Sequence, residues 1–187
     1  MIKAQSIDKE RIIEILTLAF ESNASVNYII KQDGRRMQRI RHLMDYSVKV
    51  CTAFGKVLLS DDRNAAALVM HEPKSFSLQS LFWDLQLIVR VTGLRKLRKV
   101  LQREALIKAQ HPAGNFYYLW FIGVHPVHKG YGIGSDLLNE LIADAESLGL
   151  TVYLETSTAK NVPWYEKFGF LNFKEIDLGY RLYFLKR

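Results

Sequence analysis

"FIGVHPVHKGYGIGSDLLNELIADAESLG", residues 121–149, runs from an apolar segment through a bend into an amphipathic pattern, and the bend holds Gly130, Gly132 and Gly134 within five positions. A strand, then glycines, then a helix leaves several backbone N–H groups free at a helix N-terminus, where the helix dipole adds partial positive charge. Small residues let a phosphate approach the main chain closely. His128 and Lys129 add polar and positive character. A pyrophosphate or phosphate diester is the natural guest; the competing reading is a tight turn and nothing more. The dinucleotide fingerprint Gly-x-Gly-x-x-Gly fails on spacing, because the position it requires is Ser135 when started at Gly130 and Leu137 when started at Gly132. A triphosphate loop fails too, since no Gly-Lys-Ser/Thr follows.

Outward from the bend, the pattern alternates sheet and helix. "FYYLWFIGV" before it is aromatic and β-branched without alternation, which predicts a central strand buried on both faces. The helix after it is predicted over 133–148, with Leu137, Leu138, Leu141, Ala145 and Leu148 as its apolar stripe and Gly149 at its C-cap. "TVYLETS" reads as a strand, "VPWYEKFG" as a short helix, and "FLNFKEI" with "YRLYFLKR" as a closing strand pair. Upstream, "MIKAQ" reads as a short strand, and Ser6 and Asp8 are placed to cap a helix over 9–21. A second helix fits 35–54. "KVLLSD" and "NAAALVMHEP" form a strand pair joined by "DDRN", with Pro73 ending the second. Residues 74–114 interrupt this rhythm as two helices broken near Gly93. The order βαα-ββ-(αα)-β-α-β-α-ββ predicts a mixed α/β (α+β) sheet protein.

The chain has 187 residues, enough for one domain with a sizeable core. No repeat, linker or low-complexity tract divides it. No apolar run approaches the ~18 residues of a membrane span, and the N-terminal stretch lacks a secretory h-region and cleavage site. The expectation is a cytoplasmic protein without membrane contact. One cysteine, Cys51, excludes an internal disulfide and a cysteine-based zinc site, and reads as a buried small hydrophobe. The net charge of +7 favours an anionic ligand, nucleic acid or acidic lipid without choosing among them.

"GVHPVHKGYGIGSDLL" resembles the acetyl-CoA signature of the GNAT superfamily of N-acetyltransferases, Gln/Arg-x-x-Gly-x-Gly/Ala preceded by Val-x-Pro at a strand end. The match departs at its first position, where Lys129 stands for Gln or Arg. "YLETSTAKNVPWYEKFGF" is similar to the family's later motif, an Asn before a short helix bearing Tyr-Glu-x-x-Gly-Phe, and "LETS…NVPWYEKFGF" looks like the branch containing puromycin N-acetyltransferase. The resemblance covers about 115–175 and not the insert.

The resemblance implies a strongly twisted mixed sheet, flanked by helices, whose strands 116–124 and 151–157 splay apart around acetyl-CoA. The pantetheine arm would pair with the main chain of Ile122, Gly123 and Val124, as an added strand pairs with an edge. The pyrophosphate would sit on Lys129, Gly130, Tyr131, Gly132, Ile133, Gly134 and Ser135. Tyr165 would protonate the departing thiolate, a role suited to a phenol of pKa ~10; its alternative is a core aromatic, as is expected for Trp164. Backbone N–H, that of Val124 first, would polarise the thioester carbonyl. Asn161 would cap the short helix, bind a CoA amide, or both. No metal is expected.

The base is less determined. The strand 116–124 has no carboxylate, although many family members have one there. Glu155 lies mid-strand, opposite in orientation to Leu154 and Thr156, and a carboxylate in a sheet interior must be paired or functional. It is the candidate base or amine ligand; Glu72 is the runner-up, and His125 a minor one. The first two helices and the insert should wall the acceptor side. The insert carries Arg90, Arg95, Lys96, Arg98, Lys99 and Arg103 beside Phe76, Leu81, Phe82 and Trp83. That reads as a solvated basic face over an apolar stripe, with an anionic or amphipathic acceptor as the functional alternative. The expected activity is acetyl transfer from acetyl-CoA to a primary amine of a small molecule by direct attack in a ternary complex. The alternatives are a protein N-acetyltransferase and an acyl-CoA sensor without turnover. Nucleic acid is not the expected partner, and a homodimer stays open.

Overall fold

The computed structural model describes residues 1–70 and 78–187. Glu72, Pro73 and Phe76 lie outside the described residues, as does the side chain of Arg95. The elements run β1 (Ile2–Lys3), α1 (Lys9–Ala19), α2 (Ala24–Ile29), α3 (Arg36–Phe54), β2 (Gly55–Leu59), β3 (Ala65–Met70), α4 (Leu78–Leu87), α5 (Leu94–Lys108), β4 (Tyr117–Val124), α6 (Ile133–Ser147), β5 (Val152–Thr156), α7 (Val162–Glu166), β6 (Leu171–Asp177) and β7 (Arg181–Lys186). The strands form one sheet in the order β1-β2-β3-β4-β5-β7-β6. Every neighbouring pair is antiparallel except β4 with β5, which is parallel. The mixed α/β fold is thus as the sequence predicts.

Helices cover the sheet on both faces. On one, Ile12, Ile15 and Leu16 of α1 and Ile40 and Met44 of α3 pack with Leu59, Leu68 and Phe121. On the other, Leu137, Leu138, Leu141 and Ala145 of α6 pack with Ala67, Leu119, Leu154 and Tyr165. β4 therefore has core on both sides. It also carries a bulge, because Leu68 opposes Phe121 and Val69 opposes Leu119, which leaves Trp120 without an opposite number. The extra residue puts Trp120 and Phe121 on the α1/α3 side together, while Leu119 and Ile122 lie on the α6 side.

Four local expectations are corrected. Three helices, not two, separate β1 from β2: the short α2 is opened by Asn23, whose side chain accepts from the Val26 N–H at 3.0 Å. Six residues are too few to display a helical period. Asp8 accepts from the Gln5 N–H at 2.9 Å, which closes a 3-10 turn over Ser6–Asp8 rather than capping α1. Leu148 is 47% exposed, and Ile142 completes the α6 stripe in its place. Trp164 is half-buried, not core. Cys51 is buried as expected, and burial pushes its thiol pKa up, so it stays protonated.

α3 passes into β2 without a loop, and Gly55 makes the join. A Cβ there would stand 2.0 Å from the Val69 carbonyl oxygen. Gly55→Ala must therefore part β2 from β3, and overpacking of this kind costs about 1–3 kcal/mol. The expected result is a lowered midpoint in urea unfolding at unchanged slope; a midpoint equal to the wild type would show that the strand pair yields freely.

Candidate active site

The sheet opens at its centre. β4 and β5 pair at Tyr117 with Val152 and Tyr118 with Tyr153, and no further. Beyond those pairs β5 follows β7, and β4 follows β3 up to Val124. Residues 119–124 therefore face a gap along one edge. The bulge at Trp120 contributes, because an extra residue bends and twists its strand away from a neighbour.

The bend closes the far end of this gap. A 3-10 turn over Pro126–His128 leads to Gly130 and Gly132, whose φ angles of 95° and 84° suit glycine. α6 starts at Ile133, and the Ser135 and Asp136 N–H groups donate back to the Gly132 carbonyl at 2.8 and 3.0 Å. Among the described residues, the N–H groups of Tyr131, Gly132, Ile133 and Gly134 have no such acceptor. Gly134 brings helix and strand together, since a Cβ on it would reach within 3.0 Å of Val124 Cγ2. Ile122, Gly123 and Val124 thus run directly into the amides of 131–134, with Lys129 exposed beside them.

α7 supplies Tyr165 to the same face. Its ring is buried against Trp164 and Phe170, with centroids 4.7 and 5.5 Å away. Burial pushes its pKa up, so the hydroxyl stays protonated but is a weaker acid than the ordinary phenol expected to match a thiolate. Trp164 donates its indole N–H to Ser135 Oγ at 3.2 Å, which ties α7 to the first turn of α6. Asn161 stands at the N-terminus of α7 but its side chain makes no capping hydrogen bond, so the expected cap does not form.

Across the sheet lies a cavity of about 210 Å³. Phe20, Tyr46, Tyr118, Trp120 and Phe121 give it aromatic walls, α2 adds Ser25 and Val26, and α5 adds Arg103, Glu104 and Ile107. Glu155 lines it from β5. The insert does wall this side, but of its described basic side chains Arg103 alone lines the cavity. Arg90, Arg98 and Lys99 face solvent, and Lys96 donates to the Ile30 carbonyl at 3.0 Å. Arg103 is buried; although burial opposes its charge, Glu104 and Tyr180 hold it protonated. Its Nε donates to the Tyr180 hydroxyl at 2.7 Å, and its other nitrogens donate to Glu104 and to Ser25.

The Glu155 side chain is 10% exposed. Its Oε2 accepts from the Tyr118 hydroxyl at 2.7 Å. Burial first, and the Glu155 charge second, push the Tyr118 pKa well above its ordinary value, so the phenol is a permanent donor. Glu155 and Tyr165 therefore stand on opposite faces of the sheet, and the gap between β4 and β5 is what joins their sides. His125 follows β4, its main-chain N–H donating to the Asn64 carbonyl at 2.8 Å, and its Nδ1 is buried without a hydrogen-bond partner. Among the described residues no group of His, Cys, Asp and Glu could hold a metal ion. No helix among them is long and apolar enough to cross a membrane. The sequence reading passed over Tyr118, Glu104 and His111, and nothing local flagged them.

Comparison with known proteins agrees with this geometry. The model of the acetyltransferase (GNAT) family matches residues 86–170. Among solved structures, the chain is similar to a histone acetyltransferase HPA2 and related acetyltransferase from Corynebacterium glutamicum, with 19% identity over 98% of this chain and 93% of that one and a TM-score of 0.73. It is similar to arylalkylamine N-acetyltransferase 2 from Aedes aegypti, with 16% identity over 100% and 96% and a TM-score of 0.64. The C-terminal condensation domain of Ebony, solved with beta-alanyl-dopamine, aligns at 9% identity over 100% and 96% with a TM-score of 0.66. The fold is that of the GNAT acetyltransferases.

Proposed function

We propose that the chain is an acetyl-CoA-dependent N-acetyltransferase of the GNAT family that acts on a primary amine of a small molecule by direct attack in a ternary complex. One observation carries the reading: the gap between β4 and β5 meets free helix-terminal amides on one face and a carboxylate-bearing cavity on the other. The residues fit acetyl-CoA. The open edge of Ile122, Gly123 and Val124 suits the pantetheine amides. Lys129 to Ser135 suit a pyrophosphate, because the N–H groups of 131–134 within them are uncommitted and a side chain at Gly134 would collide with Val124. Bound there, acetyl-CoA supplies an activated acyl group. Glu155 receives the acceptor ammonium and takes its proton. Tyr165, held protonated, donates to the leaving sulfur, and the Val124 N–H stabilises the developing oxyanion. Asn161, free of a capping duty, is placed to meet a CoA amide.

A cavity of about 210 Å³ fits a small acceptor. Five aromatic rings and the Glu155 carboxylate, with Glu104 balanced by Arg103, suit a cation with an apolar body. The name of arylalkylamine N-acetyltransferase 2 points the same way, whereas that of histone acetyltransferase HPA2 points to a protein acceptor. Within the family, "LETS…NVPWYEKFGF" supports a position near the branch containing puromycin N-acetyltransferase.

Calorimetric titration with acetyl-CoA, with NADH as control, tests the site. At ~100 times its dissociation constant, acetyl-CoA should add about 2.7 kcal/mol of stability. Thiol release with a panel of 2-phenylethylamine, tryptamine and spermidine then tests turnover. Binding without turnover of any amine would favour a sensor. Tyr165→Phe is expected to lower kcat about 10²-fold and to leave the acetyl-CoA Kd within twofold, read by the same two assays. Undiminished kcat would remove the acid role from Tyr165.

A further inference from the structure

His111 lies in the turn after α5, where the insert ends and the chain enters β4. Its ring packs among Phe116, Tyr118 and Tyr153, with centroids 5.2, 5.4 and 5.1 Å away. Its Nε2 lies 3.6 Å from Glu155 Oε1. Both atoms are buried and without a hydrogen-bond partner, and the Tyr153 hydroxyl is a third such atom. Three buried orphans in one place are unusual, because desolvating a polar atom without a partner costs about 1–3 kcal/mol. Yet the His111 side chain keeps 22% of its surface exposed, so the ring spans from the buried carboxylate to solvent.

The two Glu155 oxygens are divided. Oε2 belongs with Tyr118, which lines the cavity, and Oε1 is turned to His111. Tyr118 and Tyr153 flank this contact as neutral phenols. Burial, and then the Glu155 charge, push both phenols up, and they stay protonated. Of the groups around Glu155 Oε1, the imidazole alone has two ring nitrogens, so that one can accept a proton while the other gives one up.

We propose that His111 is the proton exit of this site, acting through Glu155; the proposal rests on the acetyltransferase reading. An ammonium acceptor loses one proton net when it becomes an amide and the thiolate takes another. The N–H bond breaks as O–H forms on Glu155. The carboxyl then gives that proton to Nε2, regenerating the carboxylate. The imidazolium releases its Nδ1 proton to solvent, and exchange with solvent restores the starting tautomer. His111 touches no reacting atom and is a relay that positions Glu155. The charged and titratable groups that face it are Glu155 and Tyr153 from β5 and Tyr118 from β4; Lys108 on its own segment is exposed.

His111→Phe keeps the ring packing and removes the nitrogens. With the best acceptor of the three-amine panel, kcat should fall about 10²-fold at unchanged KM. The residual rate should rise linearly with buffer-base concentration, and imidazole should restore turnover to His111→Ala. A purely structural histidine gives neither dependence. Undiminished kcat in His111→Phe, or a loss that no base repairs, overturns the relay. A second readout needs no turnover. The His111 ¹⁵N resonances, identified by their loss in His111→Phe, should titrate differently in Glu155→Gln. Identical titrations overturn the pairing. Absence of acetyl-CoA binding by the folded wild type would instead sink the acetyltransferase reading, and the ¹⁵N comparison would still decide whether His111 and Glu155 share a proton.

Discussion

Gly132→Val is expected to lose acetyl-CoA affinity by about 10²-fold while the protein stays folded. Two effects combine. Gly132 has φ of 84°, a conformation that costs an L-residue about 1–2 kcal/mol, and more for a β-branched side chain. To escape that strain the bend must turn, and the amides of 131–134 then cease to converge. The branched side chain also stands where a phosphate would rest. Strain alone is separable from loss of the site. Gly179, in the β6–β7 turn, also has φ of 84° and open space around it. Gly179→Val should cost comparable stability and leave the acetyl-CoA isotherm unchanged. Equal isotherms for Gly132→Val and the wild type would mean that the bend is not the phosphate seat.

Glu155→Gln should lower kcat by 10² to 10⁴, about the range assigned to a general base, with acetyl-CoA affinity unchanged. Glutamine keeps the volume and can still accept from Tyr118, so the fold of the cavity persists. What it lacks is a proton acceptor and a charge. KM for a cationic amine should therefore rise together with the fall in kcat, whereas KM for a neutral analogue should not. Steady-state thiol release across pH measures both. Full activity in the variant would assign proton removal to water alone and leave Glu155 as a structural partner of Tyr118.

Some of this site was legible in residue order because its parts are local. The bend needs glycines at fixed offsets, a preceding strand and a following helix, and 121–149 contains all three. Tyr165 and Asn161 were legible through a motif within one short segment. Glu155 was legible because a carboxylate among apolar strand residues is itself unusual. Non-local features were not. The missing pairing between β4 and β5 depends on two strands separated by a helix. The bulge at Trp120 depends on its register against β3. The inward turn of Arg103, in an insert otherwise basic toward solvent, depends on Tyr180, 77 residues away. His111 gave no signal, since a lone histidine in a turn has no pattern; only the approach of its nitrogen to Glu155 distinguishes it. α2 failed for length: six residues show no period, although the Asn23 cap and the core contacts of Val26 and Ile29 hold it.

The three tryptophans fall in three different surroundings. Trp164 is hydrogen-bonded to Ser135 beside the bend, Trp120 forms part of the cavity wall on the opposite face, and Trp83 lies apart from both on α4. Indole emission responds to local polarity and quenching, so each half of the site carries its own optical reporter. Replacing Trp83 by Phe leaves two signals with separate origins. Stopped-flow traces of that variant against each ligand in turn would show which half fills first, and would give the kinetic order of assembly from light alone.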